Sequence, residues 1–229
     1  MNPEQLKAGR LAAGLTQQHA AARLGVSQPY LSQLEQGQRP PTRELALAAA
    51  TLYRLPATAL PMPEPSSDGT LTDPDRLARQ LAGLGYPGFA HLRARKANPA
   101  AVVLDALLQT DLDVRLSEAL PWVLMKYPEL DWEWLVRHVK LQDAQNRLGF
   151  LVAIAKELAG HRPGMGKTFE QLSAVEQQLE RARLAREDTL CRDSMTKPER
   201  RWLEVNRSPL ARHWNLLTGL AADQLSYAV

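Results

Sequence analysis

Residues 15–37 read LTQQHAAARLGVSQPYLSQLEQG, and two cycles of cap and breaker are packed into that stretch. Thr16 is placed to cap a helix running from Gln17 to Leu24, and Gly25 ends it in the conformation that glycine tolerates best. Ser27 caps the next helix, and Pro29 falls in its first turn, where a missing N–H costs nothing. Gly37 closes that second cycle. Only Gly25, Val26 and the capping serine separate the two helices. Leu24, Val26, Leu31 and Leu34 point inward across the bend.

Working outward, the flanking residues supply more short helices. One runs from about Pro3 to Ala13 and stops at Gly14. Arg39-Pro40-Pro41 forms a rigid connection, after which Thr42 caps a helix reaching about Tyr53. Pro56 to Leu60 makes one more turn. Two helices joined through so tight a bend, inside a small helical unit, are a helix-turn-helix arrangement.

Composition agrees with helices throughout. The 229 residues include 39 Leu and 32 Ala but 11 Val and one Ile. Leu and Ala favour helices, whereas strands draw on β-branched residues. No segment alternates apolar and polar residues between turns, so the chain reads as all-α. Its single cysteine, Cys191, excludes a disulfide framework and any cysteine-based zinc finger. No apolar stretch approaches a membrane span. Glu4, Lys7 and Arg10 stand where a signal peptide would be apolar, so a soluble cytoplasmic protein is expected.

Charge is unevenly placed. Residues 1–60 hold six bases against three acids, and the other 169 hold 22 of each sign, so the net charge of +3 sits in the first quarter. A basic head on a neutral body points to a polyanionic partner for the head.

The quoted string resembles the Cro/repressor-type (XRE-like) helix-turn-helix family. The agreement lies in Gly14-Leu15-Thr16-Gln17, the small Ala21, Leu24-Gly25-Val26-Ser27, and Leu31-Ser32-x-Leu34-Glu35-x-Gly37. It covers about residues 4–60. The resemblance implies a five-helix, lambda-repressor-like head. It also implies a recognition helix, about Gln28 to Gln36, in the major groove of a double-stranded DNA operator. Arg10 and Glu35 match a pair that forms a structural ion pair in the family, and Gln17 matches a position on the phosphate backbone.

Helical phase turns Gln28, Pro29, Ser32, Gln33 and Gln36 outward. Glutamine can bond bidentately to adenine, and a hydroxyl serves several bases. Thr16 and Ser27 cap helix N-termini that favour a phosphate, and Arg39 and Arg43 add phosphate charge. Tyr30 faces partly inward, with its hydroxyl within reach of a phosphate. The competing account is a helical head that docks a protein, with these side chains merely solvated.

Three parts are expected: residues 1–62 as the DNA-binding head, 63–75 as a Pro-rich linker, and 76–229 as a larger C-terminal helical bundle for dimerisation or partner binding. In the body, helices are expected over Asp75 to Leu84 and Pro99 to Leu108, and from Asp111 onward with Pro121 kinking or breaking the run. A long helix is expected from Asp131 to about Ala159. Along it Trp134, Leu141, Ala144, Leu148, Leu151, Ala155 and Leu158 recur at heptad-like spacing. Further helices are expected from Glu170 to Leu190, with Cys191 at its end, from Lys197 to Val205, and from Pro209 to about Leu225. Leu210, Trp214, Leu217 and Ala221 would form one stripe of the last. Arg93, Arg95 and Lys96 form a basic helical end, which either extends a DNA footprint or is simply solvated. The five tryptophans, all in the body, are read as packing rather than as a ligand pocket.

Little in the sequence carries catalytic or metal chemistry. Pro163 to Thr168 ends like a phosphate-binding loop, but His161 stands where the motif needs glycine and no strand is expected before it. The histidines lack zinc-ligand spacing. No catalytic residues, metal or cofactor are expected, and the chain does not read as an enzyme. The expected function is a sequence-specific regulator, a repressor that binds DNA as a homodimer. One alternative is an antitoxin whose body, residues 76–229, neutralises a toxin. Another is a body that senses a ligand, binds an effector or catalyses a reaction.

Overall fold

Asn2 begins the first helix by exchanging two bonds with Gln5. Its side-chain oxygen accepts the Gln5 N–H at 2.7 Å, and the Gln5 side chain accepts the Asn2 N–H at 3.1 Å. The computed structural model describes residues 1–62 and 73–225, in two units, Met1–Ser66 and Ser67–Val229.

In the first unit, α1 (Pro3–Ala12) follows that box, and α2 (Gln17–Leu24) is capped by the Thr16 hydroxyl. The bend to α3 (Gln28–Glu35) passes through Gly25 at φ 69°, a left-handed conformation that a Cβ would strain. Ser27 caps α3, Thr42 caps α4 (Arg43–Leu52), and a 3-10 turn covers Ala57–Ala59. Leu6, Ala20, Ala21, Leu31, Leu34, Ala49 and Tyr53 form the core, with Leu24, Val26 and Tyr30 partly buried against it. The apolar residues of the bend thus pack α2 and α3 onto α1 and α4, which fixes the outward face of α3.

The second unit opens with α5 (Pro74–Leu84), capped by Asp73, then a 3-10 turn at Pro87–Phe89 and α6 (Pro99–Leu107). Next come α7 (Val114–Lys126), α8 (Trp132–Leu141), α9 (Gln145–Gly160) and α10 (Gly166–Glu180). A two-residue strand β1 (Asp188–Thr189) precedes α11 (Lys197–Asn206), α12 (Pro209–His213) and β2 (Leu216–Leu217). A 3-10 turn covers Ala222–Gln224. The strands pair in parallel, Asp188 with Leu216 and Thr189 with Leu217. The fold is otherwise all-α. Helix α9 is apolar nearly all round, burying Leu148 and Phe150 through Ala155, as suits a central helix; α7, α8, α10 and α12 pack against it. No helix among the described residues is long and apolar enough to cross a membrane.

Several expected elements are corrected. The long helix from Asp131 is two helices. Asp143 adopts φ 55°, and the Ala144 N–H bonds back to Val139 O at 2.8 Å. The new helix then ties a distant loop, with Asn146 exchanging bonds with Leu184. Leu141 is 72% exposed and lies off the expected seam. Helix α10 starts and stops earlier than expected, and beyond it Asp188 is held by Arg147 at 2.7 and 2.9 Å and pairs as a strand instead of continuing the helix. The last helix ends at His213. Asn215 turns left-handed at φ 52°, so Leu210, Trp214, Leu217 and Ala221 share no helical stripe.

Pro121 does not break α7, which runs through it. Cys191 follows β1 rather than a charged helix, and it is fully buried. Arg93, Arg95 and Lys96 lie in a non-helical connection, not at a helix end. Trp214 is buried, but Trp202 is 61% exposed on α11. The Pro163–Thr168 string joins two helices, α9 and α10. Of the expected linker, residues 63–72 lie outside the described residues.

Candidate nucleic-acid interface

Arg10, in the last turn of α1, reaches across the first unit to Glu35, the final residue of α3. Its Nε donates to Glu35 Oε1 at 2.6 Å and its Nη2 to Oε2 at 3.0 Å. The two side chains are only 7% and 1% exposed. Arg10 Nη1 also donates to the carbonyl of Leu15 at 2.7 Å, fastening the segment that leads into α2. A buried ion pair is tolerated only with its remaining lone pairs and protons satisfied. Here Gln17 Nε2 supplies a further bond, to Glu35 Oε2 at 2.9 Å. Burial pushes the Glu35 carboxyl up, but the bonds from Arg10 and Gln17 together outweigh it and hold the group below its usual range. The bond to Glu35 raises the Arg10 guanidinium still further.

The carboxylate sets the direction of everything beyond it. An ionised carboxylate only accepts, so Gln17 must turn its amide nitrogen to Glu35 and offer its oxygen elsewhere. That oxygen accepts from Gln28 Nε2 at 2.8 Å. Gln28, the first residue of α3, is exposed. Among the described residues its other amide N–H and its Oε1 have no partner. An adjacent donor and acceptor of this kind complement N7 and N6 of adenine in the major groove.

The bond between Gln17 and Gln28 joins the first residues of two helices. The N-terminal ends of α2 and α3, capped by Thr16 and Ser27, therefore lie near one another, and both favour negative charge. Further along α3, Gln36 Nε2 donates to the Ser32 hydroxyl at 3.0 Å, and Gln38 Nε2 donates to Gln36 Oε1 at 2.8 Å. Pro29 is exposed, while Ser32, Gln33 and Tyr30 are half-buried. Arg39 and Arg43 are exposed and have no ion-pair partner among the described residues; neither joins the glutamine network. Helical phase overlooked Gln38, which lies past Gly37. The signal that finds it is the two-residue spacing of Gln36 and Gln38.

The second unit offers a different kind of surface. A cleft of about 170 Å³ is lined by Leu112, Leu190, Leu203, Leu217 and Leu220, with Arg192 among its polar residues; that guanidinium is bound to Glu199 at 2.9 Å. Among the described residues no group of His, Cys, Asp and Glu is arranged to hold a metal ion. Burial pushes the Cys191 thiol up to about 11, against the nearby charge of Arg147.

Residues 4–61 match the family of helix-turn-helix domains, and this segment is a helix-turn-helix domain of the XRE-like kind. A relative from Cereibacter sphaeroides, named as a propionyl-CoA carboxylase regulator, is 33% identical over 136 residues, 52% of this chain and 29% of that protein. The chain thus spans less than a third of that relative. No solved structure matches the chain significantly.

Proposed function

We propose that this chain is a sequence-specific DNA-binding transcriptional regulator, a repressor that inserts α3 into the major groove as a dimer. The observation that carries the reading is the relay from Arg10 through Glu35 and Gln17 to Gln28. A buried charge orients an exposed amide so that its unengaged donor and acceptor match adenine. The exposed Arg39 and Arg43 and the N-termini of α2 and α3 supply charge for flanking phosphates. The relative named as a regulator supports the same reading.

One unit of this size spans few base pairs, and two units on a two-fold operator would place half-sites about 34 Å apart or at a multiple of that. The helical second unit serves oligomerisation or binds a partner that controls the first.

Selection of bound duplexes from a random-sequence library, followed by footprinting, tests the proposal. A recurring two-fold site with adenine at one fixed position in each half is expected. Binding that is equal on all duplexes and abolished by salt would overturn it.

A further inference from the structure

Residues 61–229 balance to zero, yet the stretch with which the described part of the second unit opens does not. Residues 73–96 carry Arg76, Arg79, Arg93, Arg95 and Lys96 against Asp73 and Asp75, a surplus of three positive charges. Residues 97–229 carry 17 bases against 18 acids, so the surplus is confined to this stretch.

The fold gathers part of this stretch in space. The Arg95 N–H donates to the carbonyl of Arg79 at 2.8 Å, binding the connection that follows the Pro87–Phe89 turn back onto α5. The approach is very close. A Cβ on Gly83 would lie 2.1 Å from the Arg95 carbonyl oxygen, so only glycine allows the backbone to settle there. Arg93 and Arg95 are exposed on this pinned connection. Neither guanidinium has a hydrogen-bond or ion-pair partner among the described residues. Arg79 keeps a long contact of 3.7 Å with Asp73 and remains 45% exposed.

We infer that Arg93 and Arg95, on the connection that Arg95 bonds to Arg79 of α5, form a second DNA contact that grips the phosphate backbone without reading bases. The inference rests on the regulator reading, and it gives the second unit a direct part in DNA binding. Guanidinium groups match phosphate oxygens in pairs. The Arg95 backbone is bonded to α5 and Arg93 lies two residues before it, and neither guanidinium is neutralised among the described residues. Arg93 and Arg95 stand on an irregular connection rather than on a helix or ribbon shaped to enter the major groove, so their contribution is to the backbone and independent of sequence.

The test uses the full chain and its Arg93→Gln/Arg95→Gln double variant, which keeps the backbone contacts at Arg79 and Gly83. Binding to the selected site and to a scrambled duplex is followed as salt is raised. Each lost phosphate contact lowers the slope of log affinity against log salt by about 0.9, so the variant's slope should be shallower by about 1.8. Between roughly 50 and 200 mM salt the unaltered chain should lose about twelve-fold more affinity than the variant. The loss should be equal on both duplexes, thermal melting should be unchanged, and Arg93→Lys/Arg95→Lys should restore the slope. An unchanged slope, or a loss confined to the selected site, overturns the inference. So does a preference of these arginines for RNA or for anionic vesicles over duplex DNA. If the unaltered chain selects no site at all, the regulator reading fails, while the slope on scrambled duplex still decides this inference.

Discussion

Gln17 Nε2 lies 2.9 Å from Glu35 Oε2, so the first residue of α2 is tied to the last residue of α3 across the bend. The bond gives an ion pair in the protein interior control over a surface glutamine.

The ion pair should matter to folding more than to DNA. Glu35→Gln leaves the Arg10 guanidinium buried without its counter-charge, and a destabilisation of about 3–5 kcal/mol is expected. Urea denaturation of the full chain measures it. A cost below 1 kcal/mol would show that the pair is not sealed from solvent.

The same pair predicts a pH dependence. Glu35 is held below its ordinary value of 4.5 in the folded chain, so folding favours the ionised form. Its stabilisation is complete above that ordinary value and is lost as pH falls through the lower folded one. Melting temperature should drop over that acid range, and Glu35→Gln should flatten this part of the profile. An identical profile in the variant would refute the assignment.

Base recognition should track the outer half of the relay. Gln28→Ala is expected to lose about 1–3 kcal/mol of discrimination at one adenine. Gln17→Ala should weaken the preference at that same base, because it frees the amide it oriented. The double variant should be no worse than Gln28→Ala. Additive losses in equilibrium binding, or an effect of Gln17→Ala at another base, would exclude the relay.

The break between α8 and α9 can be probed at Asp143, which sits at φ 55°. Asp143→Val should cost about 1–2 kcal/mol, since a β-branched residue is strained in that conformation. Asp143→Gly should be near neutral or stabilising. A continuous helix would reverse the order, with glycine the worse of the two.

Cys191 should be silent until the chain unfolds. Burial drives its thiol up to about 11, and the thiolate is the reactive form. Labelling by a thiol reagent at neutral pH should therefore be limited by opening of the chain and accelerate as denaturant is added. Rapid labelling of the folded chain would contradict its burial.

The first unit was legible because its signals are local. Thr16, Ser27 and Thr42 are caps, Gly25 is a left-handed stop, and each acts within one turn of its own position. Leucine and alanine spacing then fixed which faces meet. The second unit was legible as helices but not at its joints. At Asp143 and Asn215 the turn residue is an ordinary polar side chain, and the apolar spacing runs on through it. The short pairing of Asp188 with Leu216 joins positions too far apart in the chain for any local pattern to mark.

From the order of residues alone come the helix-turn-helix, the positive head, and the glutamines facing outward from α3. These follow from periodicity, capping and charge, which need no knowledge of distant contacts. The direction of each amide came only from the folded arrangement, since it depends on a carboxylate that the bundle buries beside Arg10 and Gln17. The setting of Arg93 and Arg95 was likewise decided there, by a backbone contact with α5 that a glycine twelve residues earlier permits.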